Sequence, residues 1–154
     1  FKLYGTPQKL AKAKVKDVEK VIKSVGFYHV KSKRIIEVAN LILSKYNGKV
    51  PADIDKLVDM PGVGRKTANV VRSVDLGLPG LPVDTHVGRL SRRLGLTEET
   101  DPVKIEMALN PMIPADERGS FSLRLILHGR RVCPSRKPRC EECTLNDFCP
   151  SSNL

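Results

Sequence analysis

The clearest periodicity in the chain lies between Lys31 and Tyr46. There Ile35, Val38, Ala39 and Ile42 recur at i, i+3, i+4 and i+7, the spacing of one buried helical face. Asn47-Gly48 closes that helix. Thr6-Pro7 sets an N-cap before a proline at the first helical position and opens a short helix over 7–13. Asp17 caps a second helix over 18–25, which Gly26 stops. Residues 1–4 read as the tail of a helix ended by Gly5. A short helix over 55–59 leads into Pro61-Gly62-Val63-Gly64, and a helix over 65–76 departs from it. Asp84 caps a helix through 94, Asp101-Pro102 opens another through 109, and a last long helix over 117–132 delivers the chain to Cys133. No period-two alternation and no repeat of 20–50 residues is present. The pattern predicts an all-α protein in two helical lobes. Two glycines and two prolines between 77 and 82 mark the boundary, giving lobes 1–78 and 79–154.

Composition narrows the class. Across 154 residues, 40% hydrophobic and 29% charged positions exclude global disorder. No run approaches the roughly 18 apolar residues of a membrane span, and the N-terminus lacks a signal peptide's apolar stretch. An intracellular protein, neither membrane-bound nor secreted, is expected. The net charge of +10 has two readings: a polyanionic partner, nucleic acid first, or a basic surface kept in water. Its distribution is uneven. Residues 1–49 hold 12 Lys/Arg against 3 Asp/Glu, net +9, and residues 50–154 hold 15 against 14, net +1. A tighter group, Arg130, Arg131, Arg136, Lys137 and Arg139, lies between His128 and Cys140 with no acid among them.

All four cysteines, Cys133, Cys140, Cys143 and Cys149, fall in the last 22 residues with the spacing C-x6-C-x2-C-x5-C. A two-disulfide knot in so short a tail is unusual without a secretory signal, so the group reads as a metal site. A four-Cys zinc site is the default, and an iron–sulfur cluster is the competitor. Spacing alone does not separate them.

The stretch Met60-Pro61-Gly62-Val63-Gly64-Arg65-Lys66-Thr67 invites comparison with a nucleotide P-loop. A P-loop follows a strand and has no residue between its Gly and Lys, whereas here Arg65 intervenes and a helix precedes. A Pro-Gly-x-Gly turn between helices lets backbone N–H groups point outward and grip a phosphate, through Gly62, Val63, Gly64 and Arg65, without reading sequence. A tight helix–helix turn with no ligand is the alternative.

With these motifs assembled, the chain resembles the endonuclease III family of helix-hairpin-helix DNA glycosylases. The resemblance rests on residues 60–71 around the hairpin, Val83-Asp84-Thr85-His86-Val87, Ile126-Leu127-His128-Gly129-Arg130 and the cysteine tail, in that order. It spans about Phe27 to Cys149. It implies two helical lobes with a DNA-binding cleft between them, and a [4Fe–4S] cluster held by Cys133, Cys140, Cys143 and Cys149. It also implies a monomer acting on double-stranded DNA that carries a damaged base or an abasic site, cytoplasmic and nucleoid-associated if prokaryotic. The family's nucleophile falls at Lys66, which follows Arg65 at a helix start, in positive potential. Its amine would attack C1′, expel the base and leave a Schiff base for β-elimination. The family's carboxylate falls at Asp84, where it would steady a cationic sugar as in glycoside hydrolysis. As an N-cap it would also serve its helix.

Relatives with Ser or Tyr at the Lys66 position are monofunctional, and those handling 8-oxoguanine with a lyase Lys generally lack the tail. Lys66 together with the tail implies a bifunctional enzyme for oxidised pyrimidines. Phe27, in Gly26-Phe27-Tyr28, matches the wedge that enters the stack when a base is flipped out, although a plain turn aromatic is the alternative. Arg136, Lys137 and Arg139 match cations of the cluster loop that contact phosphates. The family has a further N-terminal stretch ahead of the position of Phe1, supplying helices to both lobes and a Gln-containing motif that probes the duplex. Without it, both lobes are expected to expose apolar surface. Met60 stands where the family usually has Leu.

Overall fold

The computed structural model describes residues 2–152. Among them there is no strand, so the all-α expectation holds. No helix among the described residues is long and apolar enough to cross a membrane. The chain divides into two compact units, Phe1–Gly64 and Arg65–Leu154.

The first unit contains α1 (Pro7–Ala11), α2 (Val15–Val21), α3 (Tyr28–Tyr46) and α4 (Ile54–Val58). Thr6 caps α1 as its sequence dictates, its hydroxyl accepting from the Lys9 N–H at 3.3 Å. Helix α2 starts three residues ahead of the expected position, with Lys14 at the N-cap and no side-chain cap. Asp17 lies inside its first turn, where a carboxylate favours the helix dipole without capping, and pairs with Lys20 at 3.0 Å. Helix α3 buries Ala39 and Ile42 from the predicted face and opens early, at Tyr28. The predicted helical tail is absent from residues 2–4, which are irregular, and Phe1 lies outside the described residues. So short a segment cannot repay the cost of nucleating a turn. Val18, Ala39, Ile42, Leu57 and Met60 are the buried apolar residues of this unit among those described. Beside them an open groove of about 460 Å³ is lined by Leu10, Ile35, Val38, Ile42 and Pro61.

The second unit contains α5 (Arg65–Val70), α6 (Thr85–Arg93), α7 (Pro102–Leu109) and α8 (Arg118–Arg131). The expected helix over 65–76 is α-helical only to Val70 and widens into a π-helical turn over Val71–Asp75, with the Leu76 N–H bonded to the Val71 carbonyl at 3.1 Å. The Ser73 hydroxyl donates to the Asn69 carbonyl at 2.8 Å, a local bond that loosens regular helix. The boundary drawn at 78/79 does not coincide with the division into units. The Gly- and Pro-rich stretch packs back on this helix: Leu78 N–H bonds to Arg72 O at 2.8 Å, and a Cβ on Gly80 would stand 2.6 Å from Asn69 O. From there the chain runs straight into the core, where Leu81, Val83, Val87, Leu90, Ile105, Leu109 and Leu125 form one buried cluster. Helices α6 and α8 approach closely because residue 129 is glycine. A Cβ there would lie 2.9 Å from His86 Nδ1 and 3.0 Å from Arg89 Nη2.

Candidate functional site

The hairpin closes the first unit. Asp53 caps α4, accepting from the Asp55 and Lys56 N–H groups at 3.0 Å each, and the Met60 side chain is buried beyond the helix end. Gly62 is required twice over: its φ is +77°, and a Cβ would meet the Arg34 side chain at 3.2 Å. Gly64 is different. Its φ is not positive and a Cβ would meet nothing within 4 Å, so the space over its backbone is open.

Lys66 is exposed in the first turn of α5 and lines a cavity of about 730 Å³ with Ser73, Asp116 and Ser120 and with apolar walls that include Val70 and Leu123. Asp84 is the N-cap of α6. One oxygen, Oδ1, accepts from the His86 and Val87 N–H groups at 2.8 and 2.9 Å, and no hydrogen bond to Oδ2 is found among the described residues. Asp84 follows Pro82, which lines the cavity, by two residues, but is not itself part of the lining. Arg65 is not a bare cation. Its guanidinium is paired with the buried Glu106 carboxylate, Nε to Oε2 at 2.8 Å and Nη2 to Oε1 at 3.0 Å. The positive potential expected beside Lys66 is therefore offset. Asn69 also donates to Glu106, at 2.9 Å. Asn69 lies inside the hairpin stretch 60–71 with no role assigned to it there, and no motif points to Glu106, whose one signal in the chain is a lone acid on the apolar face of α7, next to Ile105.

Phe27 is 84% exposed and holds φ = +58° at the N-cap of α3. Packing does not account for an exposed aromatic in the left-handed region. Arg136, Lys137 and Arg139 are all exposed, Lys137 with φ = +51°. Their loop is held by Arg93, which donates to the Pro134 and Ser135 carbonyls at 2.8 and 2.9 Å. Arg89 likewise donates to the carbonyls of Gly129 and Cys133, at 3.1 and 3.0 Å. Both arginines follow the Val-Asp-Thr-His motif on α6, outside the residues that the motifs single out.

The cysteine tail requires a correction. Cys133, Cys140, Cys143 and Cys149 are free thiols that border one pocket, together with His128 and Arg93. Yet among the described residues no group of three or more His, Cys, Asp or Glu side chains forms a set that could hold a metal ion. The expected [4Fe–4S] ligand set, and the four-Cys zinc site weighed against it, are not formed. Three of the thiols have separate neighbours instead. Cys133 Sγ accepts from Arg93 Nη1 at 3.1 Å, Cys143 Sγ lies 3.5 Å from His128 Nε2, and Cys149 Sγ is 3.6 Å from the Arg93 carbonyl. Ligand sets need several sulfurs directed at one centre, which spacing along the chain does not guarantee.

The described residues are helical, with a glycine hairpin ahead of an exposed lysine, and residues 1–115 match the HhH-GPD superfamily of base excision DNA repair proteins. The endonuclease III of Thermotoga maritima is 44% identical over 149 residues, covering 97% of this chain and 70% of that protein. The endonuclease III of Synechocystis sp. is 45% identical over 153 residues, covering 99% and 70%. Among solved structures, a trapped endonuclease III–DNA covalent intermediate superposes with a TM-score of 0.90 at 39% identity, covering 98% of this chain and 71% of that one. The chain belongs to the endonuclease III family.

Proposed function

We propose that this chain is a base-excision DNA glycosylase with abasic-site lyase activity, taking oxidised pyrimidines from duplex DNA, with Lys66 as nucleophile. The observation that carries the assignment is Lys66 itself, exposed on the first turn after the hairpin and facing a cavity, in a family with a member trapped covalently on DNA. The amine lone pair attacks C1′ of the nucleotide while the bond from C1′ to the base breaks, its electron pair leaving with the base. Loss of an amine proton and opening of the sugar give the Schiff base. Removal of a 2′ proton then expels the 3′ phosphate by β-elimination. Asp84 offers a fixed negative charge to the cationic sugar through Oδ2, while Oδ1 caps α6. Both roles fit one carboxylate.

For the duplex, the hairpin amides of Gly62, Val63, Gly64 and Arg65 meet a phosphate, with the open space over Gly64 admitting it. Phe27 fills the stack, and Arg136, Lys137 and Arg139 add backbone contacts. Borohydride trapping on an abasic duplex tests the reading. A covalent adduct is expected from the native chain and none from Lys66→Gln. A folded native chain that binds the duplex without forming an adduct would instead mark a non-catalytic helix-hairpin-helix binding module.

A further inference from the structure

We infer that Glu106 is a positioning residue for Lys66, clamping the first turn of α5 so that the amine reaches the sugar in one orientation; this rests on the reading of Lys66 as nucleophile. Glu106 projects from α7 and is 5% exposed. Its carboxylate accepts three hydrogen bonds, all from α5: Arg65 Nε at 2.8 Å, Arg65 Nη2 at 3.0 Å and Asn69 Nδ2 at 2.9 Å. Arg65 and Asn69 stand one turn apart and bracket Lys66, so a single carboxylate grips the helix on both sides of the nucleophile. The grip matters because α5 has only six α-helical residues before the π-helical turn begins. So short a helix is poorly held by its own backbone bonds. The lysine stem is flexible, so the backbone that carries it fixes the point from which the amine reaches.

Stability alone does not account for the arrangement. Burying the Glu106 carboxylate strips it of water, and Arg65, still 32% exposed, offsets that cost only in part, so a well-packed apolar side chain of the same volume would serve stability as well. Bidentate geometry adds what an apolar pair lacks, a defined orientation. The same carboxylate balances the Arg65 charge next to Lys66. Glu106 touches neither substrate nor amine in this scheme, and its effect passes through Arg65 and Asn69.

The test is single-turnover borohydride trapping at saturating protein on an abasic duplex. Affinity is measured separately on a duplex carrying a reduced abasic analogue, and thermal unfolding is followed in parallel. Glu106→Gln is expected to slow adduct formation by about tenfold to 100-fold, the loss associated with a misplaced reacting group, while affinity stays within about threefold. Asn69→Ala, which leaves the Arg65 pair in place, should slow it less. The decisive variant is the double replacement Arg65→Met with Glu106→Leu, which removes both charges together. A merely structural clamp predicts that stability and rate return together; a positioning clamp predicts that stability returns and the rate stays low. The double variant also settles the question if Glu106→Gln does not fold. Native rates in a folded Glu106→Gln or in the double variant overturn the proposal. So does a fall in affinity that matches the fall in rate. If Lys66→Gln still traps DNA, the nucleophile reading fails and this inference goes with it. Loss of the adduct in Lys66→Gln beside a native rate in Glu106→Gln removes the clamp alone.

Discussion

In the unit of residues 65–154, seven buried apolar side chains from α6, α7, α8 and the segment leading into α6 form one continuous cluster. In the unit of residues 1–64 the buried apolar residues are Val18, Ala39, Ile42, Leu57 and Met60, and an open groove of about 460 Å³ runs beside them. The candidate site residues differ in a similar way. In the second unit Asp84 is fixed by the cap it makes on α6 and Glu106 by its pair with Arg65, while Lys66 is exposed in the first turn of α5. The first unit offers surface instead: an exposed Phe27 on a left-handed turn, a glycine hairpin and most of the excess positive charge. Asp84 and Glu106 are fixed in the unit with the continuous core, whereas the exposed candidates for duplex contact occur in both units, Phe27 in the first and Arg136, Lys137 and Arg139 in the second. Close packing transmits position, whereas a solvated surface does not.

Five changes or measurements put this contrast to the test. The largest effect is expected from Leu109→Ala. The residue is fully buried in the second unit, and truncation should cost about 3–4 kcal/mol, read as a lower denaturation midpoint at unchanged slope. Native-state hydrogen exchange should show the same asymmetry without mutation. Amides of α6 and α8 are expected to exchange only through global unfolding, and those of α1 and α2 through cheaper local opening. Equal protection in both units would remove the contrast.

Phe27→Gly should act in opposite directions on fold and function. Glycine accepts φ = +58° freely and the aromatic ring is exposed, so stability should rise by about 1 kcal/mol. Binding to a duplex with a flipped nucleotide should weaken. A loss of stability on that change would mean that the ring packs and is no wedge. Asp101→Ala removes the cap that accepts from the Val103 and Lys104 N–H groups at 2.9 and 3.0 Å, and should cost about 1 kcal/mol. The smallest effect on stability is expected from Arg136→Ala, Lys137→Ala and Arg139→Ala together, within about 0.5 kcal/mol. Their signature is electrostatic: the slope of log affinity against log salt should flatten by roughly 0.9 for each phosphate that is no longer neutralised. An unchanged slope would remove this loop from the DNA-binding surface.

The elements that local chemistry controls are legible from residue types alone. Thr6, Asp84 and Asp101 read as caps, and all three accept N–H groups two or three residues on. The helical face of Ile35, Val38, Ala39 and Ile42 is equally plain, and Ala39 and Ile42 are buried. Errors arise where a local signal has more than one outlet. Asp17 looks like a cap and serves inside the first turn instead, since both places favour an acid next to free N–H groups. A single stretch can also serve two ends: Gly77 to Pro82 has the composition of a linker, and within it a Cβ on Gly80 would stand 2.6 Å from Asn69 O.

The pattern of residues along the chain determined the helical class, the caps, the hairpin, the lysine that follows it and the family resemblance. The caps, the hairpin and the lysine depend on neighbours within a few positions, where covalent geometry already limits the outcome, and the resemblance on the order of such local motifs. Tertiary structure alone decided what lies far apart in sequence. It paired Glu106 with Arg65 across 41 residues, placed Gly129 against His86, and tied the loop after Cys133 to Arg93. It also decided the cysteine tail, whose spacing suggested a common metal and whose thiols meet Arg93 and His128 instead. Spacing limits how near two side chains can come, but the direction in which each one points is set by packing that no local pattern encodes.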